Sequence, residues 1–175
     1  MKQNKTPNWL TPIFSNIPNE LKSQPWGVWK AEPRLDKSGN PTGKWGKAPR
    51  NPISGINIGA NQPQAFGSYE EAKQAYEAGG YTGVGVLLTG SGIVGIDLDD
   101  CRSLMKARPE IVEWLEKAID GGIYCEKSPS GKGFRLFTLG QLPIGCPKRR
   151  GSLEIYDDVR FLSVTGHQIG GNSNE

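Results

Sequence analysis

A mixed α+β domain is the fold class this sequence predicts, on three observations. The 175 residues include 24 glycines and 13 prolines, which suits a turn-rich sheet protein and not a helical bundle. Apolar runs of strand length, at Trp26–Trp29, Val84–Leu88, Ile93–Leu98 and Phe134–Leu139, are punctuated by turn-forming residues. Among them lies a strong helix signature. Ser68 and Glu71 are spaced as a capping box, Ala72, Ala75 and Tyr76 recur at helical spacing, and Gly79-Gly80 is the stop.

In chain order, residues 1–17 are polar and proline-spaced and are expected to be a loosely held arm. Residues 18–169 are expected to form the folded domain, and 170–175 a tail or the start of a linker. Pro18 to Gln24 suits a short helix and Trp26 to Trp29 a strand. Arg34 to Gly43, with Asp36, Ser38, Gly39 and Asn40, is a hairpin turn that returns through Trp45 to Pro49. Asn51 to Gln64 is an irregular loop. After the capped helix, Val84 to Leu88 and Ile93 to Leu98 are two strands joined tightly through Thr89-Gly90-Ser91-Gly92. A second helix enters at Pro109, runs through Ile111, Val112, Leu115 and Ile119, and stops at Gly121-Gly122. Strands follow at Tyr124–Lys127, Phe134–Leu139, Ser152–Tyr156 and Phe161–Thr165, the last two predicted as a hairpin over Asp157-Asp158.

Composition narrows the function classes. The net charge of +3 permits a nucleic-acid partner without requiring one. Three widely spaced cysteines and a single histidine, His167, argue against a disulfide framework and a zinc site, so reduced thiols in a cytoplasmic protein are expected. No apolar run approaches the ~20 residues of a membrane span, so no membrane partner is expected.

Four groups of residues carry chemistry. Asp97 and Asp99 project from one face of a strand while Ile96 and Leu98 occupy the other. Two adjacent carboxylates repel and raise each other's pKa unless a cation lies between them, and an all-oxygen pair suits Mg²⁺ or Mn²⁺. On this reading either carboxylate is removable with little loss of fold stability. Ser128-Pro129-Ser130-Gly131-Lys132-Gly133-Phe134-Arg135 is a small-residue loop whose amides, hydroxyls and cations suit phosphate, with a plain hairpin turn as the alternative. Glu154, on another strand, supplies the third carboxylate that a two-metal centre requires, with Arg160 close behind as a phosphate ligand or a partner of Asp157 or Asp158. Lys44, Trp45, Lys47 and Arg50 interleave cations with an aromatic ring, which suits a nucleic-acid strand, and Lys148-Arg149-Arg150 is a second basic cluster. Trp26, Trp29 and Trp45 also suit a core, and His167 suits either a phosphate contact or a strand end.

Taken in order, these strings resemble the primase-polymerase domain of the archaeo-eukaryotic primase superfamily, as found at the N-terminus of phage and plasmid replication proteins. The resemblance runs from Trp26 to His167. It rests on Trp26-Gly27-Val28-Trp29, Gly46-Lys47-Ala48-Pro49, Gly83-Val84-Gly85-Val86, Gly95-Ile96-Asp97-Leu98-Asp99, Ser128 to Gly133, Glu154-Ile155-Tyr156 and Arg160 to His167.

The resemblance implies two packed αβ modules, the later one like an RNA-recognition-motif sheet, with the active site in the cleft between them. It implies that Asp97, Asp99 and Glu154 are catalytic and hold two Mg²⁺ or Mn²⁺ ions. It implies that Ser128, Ser130, Gly131, Lys132 and Gly133 bind nucleotide, with Arg160 and His167 as helpers. The family's second motif commonly ends in a histidine, and Arg135 stands there in this chain. Arginine keeps the phosphate-binding charge but donates no proton at neutral pH. The activity implied is template-dependent nucleotidyl transfer from nucleoside triphosphates to a primer 3′-hydroxyl, on single-stranded DNA. Lys44, Lys47 and Arg50 would lie along the template, and a helicase would be present as a domain or partner. The alternatives are a non-catalytic nucleic-acid or nucleotide-binding module and a metal-dependent nuclease.

Overall fold

The computed structural model describes residues 6–99 and 101–170; residues 171–175 of the predicted tail and residues 1–5 of the predicted arm lie outside the described residues. In chain order the elements are α1 (Asn19–Lys22), β1 (Trp26–Trp29), β2 (Glu32–Leu35), β3 (Pro41–Gly46), β4 (Pro49–Arg50), α2 (Tyr69–Glu77), β5 (Gly83–Leu87), β6 (Ile93–Leu98), α3 (Cys101–Ala107), α4 (Glu110–Asp120), β7 (Tyr124–Lys127), β8 (Phe134–Leu139), β9 (Arg149–Arg150), β10 (Leu153–Tyr156) and β11 (Phe161–Val164). The mixed α+β class is therefore as the sequence predicts. No helix among the described residues is long and apolar enough to cross a membrane.

Two sheets organise the domain. The first orders its strands β11-β5-β1-β4 and the second β7-β8-β6-β10-β9, while β2 and β3 form a separate ribbon. Helix α2 covers the first sheet; its capping box forms as predicted, with Ser68 Oγ accepting from Glu71 N and the Glu71 carboxylate accepting from Ser68 N. Ile17, Leu21, Trp26, Val28, Ala72, Val84, Val86 and Leu162 make the core there. Helices α3 and α4 cover the second sheet, where Val94, Ile96 and Leu98 of β6 pack with Cys101, Ile111, Leu115, Ala118 and Leu136. Burying each of these larger side chains contributes roughly 1.5–3 kcal/mol.

Strand alternation on β6 then sets the site. Val94, Ile96 and Leu98 face the helices, so Ile93, Gly95 and Asp97 face the first sheet. Ile93 joins the first core. At Gly95 the sheets come so close that an added Cβ would lie 2.5 Å from Leu162 Cδ1. One step further on the same face is Asp97.

One connection differs from the sequence reading: β10 and β11 do not form a hairpin. Like the tight connection between β5 and β6, theirs crosses from one sheet to the other. The reason is that β5 is flanked by β1 and β11, and β6 by β8 and β10, which leaves neither an open edge. Asp157 is accordingly no hairpin corner: its carboxylate accepts from Leu142 N at 2.8 Å and pairs with Lys148 at 2.5 Å. The part of the predicted arm that is described also differs, because residues 6–17 are tied to the domain. Leu10 N donates to Pro129 O (2.9 Å) and Ile13 N to Thr165 O (2.8 Å), and Ile17 is buried.

Candidate active site

Register lines up charge across the second sheet. Glu126 lies opposite Arg135, Arg135 opposite Asp97, Asp97 opposite Glu154, and Glu154 opposite Arg149. Directly opposed residues share a face with their Cβ atoms ~4.5–5.5 Å apart, so residues spread over the chain become one row. Four of them, Glu126, Arg135, Asp97 and Glu154, are buried.

The Arg135 guanidinium is committed to this row. Its Nε donates to Asp97 Oδ1 (3.0 Å) and its Nη2 to Asp97 Oδ2 (3.3 Å), while Nη1 donates to Ser163 O (2.6 Å) and to Ser163 Oγ. Four of its five N–H groups are thus taken. Burial alone would raise the Asp97 pKa, but the charge and hydrogen bonds of Arg135, then Lys47 and Arg160, hold it below the usual carboxylate range. The expectation that Asp97 is dispensable for stability is therefore corrected: it neutralises a buried cation.

Asp99 differs. It is exposed, takes no side-chain hydrogen bond among the described residues, and has its pKa raised by desolvation and by the Asp97 charge. Glu154 accepts from Tyr156 OH (2.9 Å) and Arg160 Nη2 (2.7 Å), and Arg149 Nη1 stands 3.3 Å from it. Arg160 also lies over the Tyr156 ring, 4.3 Å from its centroid. Among the described residues, no group of three histidine, cysteine or acidic side chains is gathered as a metal would need.

These side chains open into a cleft of about 880 Å³ lined from both sheets and from the N-terminal segment. Asp97, Asp99, Glu154, Ser130, Arg135 and Arg160 line it, with Lys44, Trp45 and Lys47 from the segment around β3 and Ser163 from β11. Its described charged lining holds six cations (Arg34, Lys44, Lys47, Arg135, Arg149, Arg160) against three carboxylates. The surplus favours an anionic ligand. Lys47 is half-buried, and desolvation, reinforced by Arg135 and opposed by Asp97 and Asp99, lowers its pKa to about 8.

No family model matches the sequence. A DNA primase-polymerase of Nitratiruptor phage NrS-1 is 30% identical over 156 residues, which are 85% of this chain and 20% of the phage protein. The chain is a primase-polymerase homologue. It spans about a fifth of its relative's length.

In this primase-polymerase-like domain the remaining predicted residues are distributed unevenly. The Ser128–Gly133 loop is a tight turn whose amides serve itself: Gly131 N donates to Ser128 O (2.8 Å) and Gly133 N to Ser128 Oγ (3.0 Å). An added Cβ on Gly133 would strike the Leu98 carbonyl, so glycine is needed there for close approach to β6. Of the loop, Ser130 lines the cleft, while Ser128 is buried and Gly131 and Lys132 are exposed outside the lining. His167 also lies outside the lining, with Nε2 2.8 Å from Thr11 O. Arg50 is paired with Glu32 at 2.6 Å and donates to Gly55 O, away from the lining. Trp26 and Trp29 are core, whereas Trp45 is half-buried in the cleft wall.

Sequence reasoning passed over Trp9, Arg34, Glu126 and Ser163. Glu126 is fully buried and accepts from Thr165 N (2.9 Å), Gly166 N (2.8 Å) and Tyr124 OH (2.9 Å), which fixes the turn after β11. Burial pushes its pKa up to about 7 against those donors and Arg135. A charged residue inside the run Tyr124-Cys125-Glu126 was the available signal. Trp9, in a polar segment, carried none.

Proposed function

We propose that this domain is the nucleotidyl-transfer module of a DNA primase-polymerase acting in replication of a phage or plasmid-type element. The observation that carries the reading is the shared cleft. There Asp97 and Asp99 stand among Lys47, Arg135 and Arg160, in a chain homologous to a protein named a DNA primase-polymerase. A primer 3′-hydroxyl attacks the α-phosphorus of a nucleoside triphosphate, the bond to the bridging oxygen breaks, and pyrophosphate leaves.

Asp97 and Asp99 fit a divalent cation, Mg²⁺ or Mn²⁺. The Asp99 carboxylate takes no hydrogen bond among the described residues, and desolvation together with the Asp97 charge raises its pKa; a cation between the two carboxylates relieves both. When bound, such an ion supplies charge neutralisation at the reacting phosphate. A second ion would draw on Glu154 in exchange for Arg149 and Arg160. Lys47, Ser130, Arg160 and the remaining N–H of Arg135 contact the triphosphate, whose anionic charge matches the cationic surplus of the cleft. Arg34, Lys44 and Trp45 lie where a single-stranded DNA template would enter. A helicase domain or partner belongs to the same proposal.

One observation favours a second reading, a non-catalytic nucleotide-binding module: Asp97 and Glu154 are both already occupied by arginines. Incubating the protein with Mg²⁺ or Mn²⁺, a single-stranded template and labelled ribo- or deoxyribonucleotides separates the two. Extended products that vanish in Asp99→Ala support transfer. Nucleotide binding without product under all these conditions supports the binding module.

A further inference from the structure

The N-terminal segment reaches into the cleft. Leu10 N donates to Pro129 O at the base of the Ser128–Gly133 turn, and Thr11 O meets the His167 ring. Between these anchors and the ribbon, Trp9 stands edge-on to Trp29, with centroids 5.5 Å apart, and to Trp45, at 6.3 Å. The Lys47 ammonium lies 5.7 Å from the centroid of the Trp9 ring. It makes no hydrogen bond or ion pair among the described residues, although Asp97 and Asp99 act on it electrostatically.

A lysine left to itself disperses over many rotamers, and an aromatic face within ~6 Å restricts it by attraction to the ring quadrupole. The neighbouring indoles fix the ring in turn. Trp9 Nε1 is buried with no hydrogen-bond partner among the described residues, so packing alone sets the ring's place. We propose that Trp9 is a positioning residue, its ring holding the Lys47 ammonium in the cleft for the phosphates of a bound nucleoside triphosphate. The role rests on the nucleotide-binding reading above. It assigns the N-terminal segment to the working site.

The test is a double-mutant cycle on the full chain, titrated with a nucleoside triphosphate bearing a non-hydrolysable α–β bridge. Lys47→Met should weaken binding about tenfold, as expected for a lost charge-assisted contact. Trp9→Leu keeps apolar packing but loses the ring, and should weaken binding about fivefold. Combined, they should bind no worse than Lys47→Met alone, within about twofold, because both remove one interaction. Trp9→Phe, which keeps a ring and loses no hydrogen bond, should stay within about twofold of the parent. Additive losses, or unchanged binding in Trp9→Leu, overturn the role of Trp9 and leave the phosphate site standing. No binding by the parent overturns both. If Trp9→Leu does not fold, the NMR resonances of the Lys47 ε-methylene decide in the parent: ring-current displacement supports the contact, and ordinary positions overturn it.

Discussion

Arg135, 38 positions beyond Asp97 in the chain, takes both oxygens of that carboxylate inside a nearly dry wall of the cleft. Two neighbouring aspartates therefore answer differently to substitution. Asp97→Ala strands a guanidinium that is 3% exposed, and should lower stability by about 3–5 kcal/mol in urea denaturation. Asp99→Ala removes an exposed like charge and should leave the midpoint unchanged while abolishing synthesis. Equal stability of the two variants would sink the buried-pair account. Lys47 adds a pH dependence. Its pKa of about 8 means that the ammonium is charged at pH 7 and increasingly neutral by pH 9. Nucleotide affinity should fall as pH rises through 8, and in Lys47→Arg that fall should disappear, since arginine stays charged. For stability the sign is opposite. Between pH 8 and the ordinary lysine value of 10.5 the unfolded chain binds more protons, so this group makes the fold more stable as pH rises.

At the scale of elements, β7 and the turn after β11 are coupled through Glu126. Its carboxylate is the acceptor for two successive amides, Thr165 and Gly166, so Glu126→Gln sets an NH₂ among donors. The variant should lose about 1–3 kcal/mol. It should also lose a pH slope. Because the folded pKa of about 7 exceeds the ordinary glutamate value of 4.5, the native state binds the extra proton in that window. Stability from this group falls as pH rises from 4.5 to 7, by on the order of 3 kcal/mol. Thermal melts across that range, compared between parent and Glu126→Gln, measure it; parallel curves would remove Glu126 from the account. The other connection between the sheets carries Val159 at φ +46°, a left-handed conformation that a β-branched residue rarely adopts. Val159 lines the cleft, so strain is stored beside the site and not in a distant loop.

For the whole molecule, the cationic surplus of the cleft equals the chain's net charge of +3, so the formal charges outside its lining sum to zero. The surplus at this opening attracts a polyanion. Replacing Arg34 and Lys44 with alanine should flatten the dependence of log affinity on log salt for single-stranded DNA by ~0.7 per contact. Arg50→Ala, which breaks the Glu32 pair and the hydrogen bond to Gly55 O, should leave that slope alone, against the sequence expectation that Lys44, Lys47 and Arg50 act together. An unchanged slope in the Arg34 and Lys44 variant would remove the ribbon from the nucleic-acid path. Mn²⁺ should raise the melting temperature of the parent and not of Asp99→Ala, as binding to the native state alone requires.

Local chemistry made much of this domain legible without coordinates. The capping box at Ser68 and Glu71 forms within one turn of helix, and the Asp97/Asp99 alternation needs only a strand, so neighbouring residues suffice to specify both. The ordered motifs from Trp26 to His167 likewise pointed to the family on their own. Which strands pair is another matter, because pairing depends on which edges are open once all the strands have assembled. That decided against a β10–β11 hairpin. The same register set Arg135 against Asp97 and two arginines around Glu154, charge balances that sequence spacing does not encode. Trp9 reaches Lys47 only because the N-terminal segment docks between two sheets, a long-range contact with no periodicity to announce it.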